Sequence, residues 1–201
     1  MSRLERLRDD PRIARLEDSL RSRVPVEVED PGARRAAVAI LIRFGDTGEP
    51  ELFFIQRAEY EGDPWSGHIA FPGGRAEPGD ESLAHTAIRE TLEETEIDLR
   101  DCELVGALDD LHPRAIRLPA VVVRPFVFLV SEVSEPVLSA EVAGAFWVPL
   151  SVLLDRSVWR DTTIRAGNSE ISRFAFHHEG YVVWGMTERI LSDLLAMVSS
   201  D

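Results

Sequence analysis

The chain has 201 residues, of which 44% are hydrophobic and 29% are charged, so it can form one or two domains with a buried core and is neither disordered nor fibrous. Its 36 acidic and 22 basic residues give a formal net charge of -14, which repels polyanions and argues against nucleic-acid binding. Its apolar runs are shorter than the ~20 residues of a membrane span, and no secretory signal is recognisable. A single cysteine, Cys102, favours a cytoplasmic location.

The predicted elements mix helices and strands along the chain. Leucine and isoleucine recur at helical spacing over 3–23 and predict one or two polar amphipathic helices. The apolar run AAVAILIRF, 36–44, is typical of a strand covered on both faces, and ELFFIQR, 51–57, predicts a second strand. A loop over 58–68 leads into IAFPGG, 69–74, which predicts a short strand ending in a tight glycine turn. The remaining predictions are a helix over 81–96, strands over 121–130, 145–150 and 181–184, and a helix over 187–198.

This mixture predicts an α/β domain over 31–201 that follows an N-terminal helical extension over 1–30. No internal repeat or low-complexity block marks a second globular domain. The chain contains no lysine, which excludes a catalytic lysine, and no convincing Cys–His or Ser–His motif points to a covalent nucleophile.

Three glutamates share one face of the predicted helix over 81–96. At 100° per residue, Glu90, Glu93 and Glu94 fall within an arc of roughly 100°. The opposite side is expected to pack on the sheet and carries Ala84, Ile88, Leu92 and Thr95. Such a carboxylate cluster is either a solvated acidic face or a site for a hard cation such as Mg²⁺, which takes oxygen ligands. Charge alone does not decide between the two.

The residues before the helix favour the cation site. A tight turn at Gly73 and Gly74 would bring a backbone carbonyl close to the helix that carries the glutamates. Asp80 is predicted to be the N-cap of that helix, because its charge suits the positive end of the helix dipole. Strand, glycine turn and carboxylate helix thus form one continuous unit.

The segment FPGGRAEPGDESLAHTAIRETLEETEI resembles the signature box of the Nudix hydrolases, G-x5-E-x7-R-E-U-x-E-E-x-G-U, in which U is a bulky apolar residue. Gly74 matches the first glycine of this pattern. Arg89-Glu90 matches its R-E pair, and Glu93-Glu94 matches its E-E pair. The segment departs from the pattern at three positions. Asp80 stands where Glu is usual, with one extra residue before Arg89; Thr91 replaces an apolar residue; and Glu96 replaces the closing glycine.

The resemblance implies a Nudix-type α/β/α sandwich, with a mixed β-sheet between the helix over 81–96 and the C-terminal helix. It also implies hydrolysis of a diphosphate linked to another moiety, by attack of water on phosphorus, with Mg²⁺ as the cofactor or Mn²⁺ in its place. Glu90 and Glu94 would be the principal metal ligands, assisted by Glu93 and the Gly73 carbonyl.

A positioning role follows for Arg89 from the same resemblance. It would pair with Asp80 or Glu81 and hold the glycine loop against the helix. Glu141 begins the stretch E-V-x4-W-V-P-L, a pattern common after the box, and is otherwise an exposed acid at the entrance of a strand. The general base stays open among Glu93, Glu94 and Glu141.

Two features resemble the coenzyme A diphosphatase branch of the family, namely the Asp80 variant of the box and the ending YVVWGMTERILSDLL, while FFIQRA matches that branch only in part. This branch cleaves coenzyme A to 3′,5′-ADP and 4′-phosphopantetheine. Because coenzyme A carries a diphosphate and a 3′-phosphate, the acidic chain would need a local positive patch. The candidate substrate-binding residues are Arg57, Arg75, Arg114, Arg117, Gly74, Trp65 and His68.

Other substrates stay open, namely ADP-ribose, another nucleoside diphosphate derivative and a nucleoside triphosphate. An alternative of another class is a nucleotide-binding Nudix module without catalysis, but the intact Glu90, Glu93 and Glu94 argue against it. The expected partner is a small-molecule nucleotide diphosphate substrate, with no nucleic acid and no membrane, and a homodimer is left open.

Overall fold

The computed structural model describes residues 1–60, 66–113, 120–131, 133–166 and 169–199. Its helices are α1 Arg3–Asp9, α2 Pro11–Arg21, α3 Leu83–Thr95, α4 Leu150–Leu154 and α5 Met186–Val198. Its strands are β1 Arg34–Phe44, β2 Pro50–Arg57, β3 Ile69–Ala70, β4 Gly73–Arg75, β5 Glu103–Ala107, β6 Val121–Val130, β7 Val142–Pro149, β8 Trp159–Ala166, β9 Ser169–His178 and β10 Tyr181–Val183. A 3₁₀ turn, Arg156–Val158, lies between α4 and β8.

A mixed sheet with β1 at its centre organises the fold. The strand order is β3-β2-β1-β6-β5, and β4 pairs with β1 while β7 pairs with β2. β1 is parallel to β6 and antiparallel to β2 and β4. Alternate residues of β1 enter two separate apolar clusters, with Ala39 and Leu41 on one face and Ile40 and Ile42 on the other. The continuous apolar run therefore forms a strand covered on both faces, as predicted.

Helices cover both faces of this sheet. α3 packs on the face that contains Ala39, whereas α1, α2 and α5 contribute to the cluster around Ile40. The protein is thus an α/β/α sandwich, which confirms the predicted fold class. None of the helices within the described residues is both long and apolar enough to span a membrane.

The predicted N-terminal helices are α1 and α2, which meet at Asp10. The Asp10 side chain accepts a hydrogen bond from the Arg12 N–H at 2.9 Å, and Pro11 occupies the first turn of α2, where its missing N–H costs nothing. Four side chains from these helices are buried in the core next to α5, namely Leu7, Ile13, Leu16 and Leu20. A domain boundary at residue 30 stays a prediction.

Two long strands and one short one were not predicted. β8 and β9 form an antiparallel hairpin that joins β10 in a second, three-stranded sheet, and β5 pairs with β6 at the edge of the main sheet. β8 has the sequence WRDTTIRA, in which polar residues interrupt every apolar run. A hydrophobic pattern could not identify it because much of the hairpin is exposed.

The predicted face of α3 packs on the sheet except at Leu92: Ala84 and Ile88 contact the apolar cluster and Thr95 is buried. Its buried residues are Thr86, Ala87, Thr91, Glu94 and Thr95. Leu92, expected inside, is 36% exposed. The Thr91 and Thr95 hydroxyls each donate to the carbonyl one turn earlier at 2.7 Å, which satisfies them without a partner on the sheet. The small Ala87 shares its cluster with Ala39 of β1, so the helix lies close to the strand.

Both ends of α3 also differ from the expectation. Ser82, and not Asp80, is the N-cap, and its hydroxyl accepts a hydrogen bond from the His85 N–H at 3.1 Å. After Thr95 the helix ends at Glu96, which has a left-handed φ of 57° where the Nudix pattern has glycine. The missing glycine therefore does not prevent the usual left-handed helix ending.

Candidate active site

The glycine pair lies in strand β4, not in the tight turn that was predicted. Gly73 pairs with Val38 and Gly74 with Ala37 on β1. Gly73 has a φ of +149°, and a Cβ there would lie 2.6 Å from the Val38 Cα and would also overlap the Ala37 carbonyl oxygen. A Cβ on Gly74 would overlap the Glu90 carboxylate. Glycine is thus required at position 73 by the backbone of β1, whereas a side chain at position 74 would displace the Glu90 carboxylate.

Glu94 is the most buried carboxylate of the cluster. It is 4% exposed, and its Oε2 accepts a hydrogen bond from the Gly73 N–H at 2.9 Å. Burial raises the pKa of Glu94 to about 8, and the charge of Glu90 adds to that rise. The Gly73 hydrogen bond and the positive charge of Arg57 oppose it. Without a cation, the site thus disfavours a second negative charge.

Glu90 stands beside Glu94 and is half-buried. Burial raises its pKa, and the negative charges of Glu93 and Glu141 act in the same direction, while Arg89 opposes them. The Arg89 Nη2 lies 3.1 Å from the Glu90 Oε1. Glu90 and Glu94 both face the glycine strand, as the cation-site hypothesis required.

Arg89 joins the loop before α3 to the helix. Its Nε and Nη2 donate to the two Asp80 carboxylate oxygens at 3.0 and 3.1 Å, and Nη2 also donates to the Arg75 carbonyl at 3.0 Å. Thr86 donates its hydroxyl hydrogen to Asp80 at 2.8 Å. The Arg89 guanidinium holds the pKa of Asp80 well below its usual range. Asp80, and not Glu81, is therefore the partner of Arg89.

Glu93 and Glu141 occupy different sides of the cluster. The Glu93 side chain is 59% exposed and accepts a hydrogen bond from Arg89 Nη1 at 3.1 Å, on the outer face of α3. Glu141 is close enough for its charge to raise the pKa of both Glu90 and Glu94. Sequence spacing put Glu93 with the other two helix glutamates, whereas the fold brings Glu141 to Glu90 and Glu94 from a distant loop.

The loop that carries Glu141 is attached to α3 and to β2. The Ser139 N–H donates to the Glu94 carbonyl at 3.0 Å, and the Ser139 hydroxyl accepts from the Glu141 N–H at 3.3 Å. The Ala58 N–H donates to the Glu141 carbonyl at 2.8 Å. This segment therefore satisfies a terminal carbonyl of α3 and fixes the Glu141 backbone relative to Glu94.

The predicted substrate-binding residues fall into three groups. Arg57 ends β2 close enough to the cluster for its charge to lower the pKa of Glu94. Arg75 is exposed, and its carbonyl belongs to the Arg89 contacts. The His68 ring packs edge-on against Trp184, with 4.5 Å between ring centroids. The remaining candidates, Trp65, Arg114 and Arg117, lie outside the described residues.

Two contacts around this site were missed from the sequence. The first is the hydroxyl of Thr86 on Asp80, which the position of Thr86 in the first turn of the helix could have suggested. The second is the hydroxyl of Tyr60, which donates to the Ala140 carbonyl at 2.8 Å. Residues 60 and 140 are 80 positions apart, so no local pattern signals their contact.

The donor set fits a magnesium ion. Among the described residues, no group of three His, Cys, Asp or Glu side chains is arranged to enclose a metal ion. Mg²⁺ is usually bound by one or two carboxylates together with water and substrate phosphates, and it does not need a closed protein cage. Glu90 and Glu94 provide two adjacent carboxylates, and burial raises the pKa of each, so a bound cation would favour their charged forms.

Comparison with known proteins decides the family. The sequence model of the NUDIX domain matches residues 33–166, which is more than half of the chain. The chain belongs to the Nudix family. It is 32% identical over 184 residues to the uncharacterized Nudix hydrolase NudL of Yersinia enterocolitica, covering 89% of this chain and 91% of that protein. This Nudix protein is accordingly a hydrolase of pyrophosphate bonds, in a family that uses divalent metal ions.

Other similarities agree with this assignment. An uncharacterized protein of Schizosaccharomyces pombe is 38% identical over 141 residues, covering 60% of this chain, which spans only 43% of that longer protein. The structure of a Nudix hydrolase from Alicyclobacillus acidocaldarius superposes with a TM-score of 0.57 at 21% identity, covering 84% of this chain and 93% of the other. At that identity the likeness supports the Nudix fold alone.

Proposed function

We propose that this Nudix hydrolase is Mg²⁺-dependent, with Mn²⁺ as an alternative metal, and that it cleaves the diphosphate of coenzyme A or its derivatives. The products would be 3′,5′-ADP and 4′-phosphopantetheine. One observation carries the metal-dependent part of the proposal: Glu94 is buried against the Gly73 N–H, with Glu90 beside it, at the glycine strand β4. Two adjacent carboxylates with raised pKa values are best stabilised by a cation.

In this proposal Glu90, the second oxygen of Glu94 and the Gly73 carbonyl hold the metal. Bound Mg²⁺ neutralises charge on the diphosphate, polarises its P–O bonds and lowers the pKa of bound water. Glu141 accepts the proton of the water that attacks phosphorus, and the bridging P–O bond breaks so that one product leaves with the bridging oxygen. Glu93 remains the alternative base, although its exposed carboxylate is engaged by Arg89.

The arginines have separate tasks. Arg89 keeps the loop before α3 in place through Asp80 and so orients Glu90. Arg57 is the nearest candidate for a charge-assisted hydrogen bond to a substrate phosphate, because its charge already acts on Glu94. Arg75 is exposed and can approach a second phosphate group.

Two elements of the sequence support coenzyme A in particular. The extra residue before Arg89 is accommodated without loss of the Asp80 contact, so the variant box of the coenzyme A branch is compatible with an ordered site. The ending YVVWGMTERIL forms β10 and the first turns of α5, and Trp184 in this ending packs on His68, in the loop before the glycine strand. A C-terminal motif that contacts this loop can take part in substrate selection.

A substrate panel tests the proposal. We expect coenzyme A to be cleaved only with a divalent metal, with a higher kcat/KM than dephospho-coenzyme A, ADP-ribose or NADH in the same buffer. Loss of one charge-assisted contact to the 3′-phosphate costs about 1.5–3 kcal/mol, or roughly ten- to a hundredfold in kcat/KM. Chromatography of the products identifies the bond that is cleaved.

The outcomes separate the alternatives. A tenfold preference for ADP-ribose, another nucleoside diphosphate derivative or a nucleoside triphosphate would replace coenzyme A as the substrate and leave the hydrolase intact. Equal rates for coenzyme A and dephospho-coenzyme A would remove the 3′-phosphate contact. Tight nucleotide binding without metal-dependent cleavage of the diphosphate would identify a binding module instead of an enzyme.

A further inference from the structure

Tyr60 is an exposed aromatic residue that is fixed in place by two hydrogen bonds. It is 49% exposed, yet its hydroxyl donates to the Ala140 carbonyl at 2.8 Å, and its backbone N–H donates to the Ser66 hydroxyl at 2.7 Å. These bonds hold the side chain in one place and leave about half of the residue accessible to solvent.

Tyr60 is linked to the segment that carries Glu141. Ala140 immediately precedes Glu141, whose charge acts on Glu90 and Glu94. Two residues before Tyr60, the Ala58 N–H donates to the Glu141 carbonyl at 2.8 Å. Tyr60 is therefore bonded to the same short segment that brings Glu141 to the cluster.

We propose that Tyr60 is the platform on which the base of the nucleotide substrate stacks; this inference rests on the proposed function. An aromatic ring stacks on any base, and a ring already held by its hydroxyl and its backbone loses little conformational freedom on binding. The chain has a net charge of -14, and the substrate phosphates are negative as well. A neutral ring can bind the base without adding further negative charge near those phosphates. The His68 ring, by contrast, is in edge-on contact with Trp184.

Two ligands that differ only in the base test this proposal, namely AMP and ribose 5-phosphate, each titrated calorimetrically with Mg²⁺ present. We expect Tyr60→Ala to raise the Kd of AMP about tenfold, from the usual strength of base stacking, and to leave the Kd of ribose 5-phosphate unchanged. Tyr60→Phe keeps the ring and should bind AMP within about twofold of the unaltered protein. Phe174→Ala is the matched control, because Phe174 is also 49% exposed but lies on β9 in the second sheet.

Each contrary result has a definite meaning. If the unaltered protein binds AMP no better than ribose 5-phosphate, or if Tyr60→Ala weakens both ligands equally, the stacking role is wrong. If Tyr60→Phe loses as much AMP affinity as Tyr60→Ala, the hydroxyl contact to Ala140 matters and the ring does not, which also overturns the proposal. Failure of the proposed function is a different result, namely no Mg²⁺-dependent cleavage of any nucleotide diphosphate by the unaltered protein.

Discussion

Replacing Glu94 by Gln tests the central feature of the site. The amide keeps the size of the side chain and an oxygen that can accept the Gly73 N–H, which now lies 2.9 Å from the carboxylate. It removes the negative charge that a metal ion needs. We therefore expect turnover at saturating Mg²⁺ to fall by orders of magnitude while the fold is retained, because metal ligation is lost.

The same substitution should change how stability depends on pH. Burial raises the pKa of Glu94 to about 8 from 4.5, so the native state binds this proton more tightly than the unfolded chain does. The stabilisation is complete below pH 4.5 and is lost as the pH rises through about 8. At about 1.4 kcal/mol per pKa unit, the upper limit of the loss is about 4–5 kcal/mol. Glutamine does not titrate, so metal-free Glu94→Gln should be more stable than the unaltered protein at pH 8 and nearly equal at pH 5.

Urea unfolding in a chelator at pH 5, 6.5 and 8 measures this difference, and chromatography of the products formed with Mg²⁺ measures turnover. Glu93→Gln is the control for stability, because the Glu93 side chain is 59% exposed and no comparable burial acts on it. Near-normal turnover by Glu94→Gln would show that the Glu94 charge is not needed to bind the metal. If the free energy of unfolding of Glu94→Gln and of the unaltered protein changed identically with pH, Glu94 would not be desolvated in the native state.

Three further predictions concern the scaffold. Gly74→Ala should raise the Mg²⁺ concentration needed for half-maximal turnover, because a Cβ there overlaps the Glu90 carboxylate, whereas Gly79→Ala, with nothing within 4 Å, should not. Leu16→Ala should lower the free energy of unfolding in urea by about 2–5 kcal/mol, because Leu16 is fully buried. A loss near zero would show that α2 does not unfold together with the rest of the domain. Ala87→Leu should weaken the metal site by displacing α3, as argued below.

The sequence could predict those parts of the molecule where local pattern and burial coincide. The run 36–44 is apolar at nearly every position, and it forms the central strand β1. The spacing of Glu90 and Glu94 put both carboxylates on one helix face, and both do face the glycine strand. The Arg89 partner stayed ambiguous because Asp80 and Glu81 are adjacent; only the fold of the loop selects Asp80.

The errors have a common physical cause. Gly73 and Gly74 were expected in a turn because glycine favours turns, but here their lack of a Cβ permits close contact with β1 and Glu90. Leu92 was expected inside because it is large and apolar, but α3 instead buries small and hydroxyl-bearing residues. Glycine and alanine allow two elements to pack close together. A single sequence does not show how far apart its elements lie, so it could not predict these contacts.

This closeness between α3 and β1 leads to the last prediction. Ala87 is fully buried in the cluster that contains Ala39, and Glu94, two turns further along α3, reaches the Gly73 N–H at 2.9 Å. Ala87→Leu adds three carbons at this interface, so the helix must shift away from the strand, at a typical cost of 1–3 kcal/mol. Ala175→Leu is the control: Ala175 is equally buried but lies on β9, so it should lose similar stability without a change in Mg²⁺ dependence. If the two variants need the same Mg²⁺ concentration, the close packing of α3 serves stability alone and does not position the carboxylates.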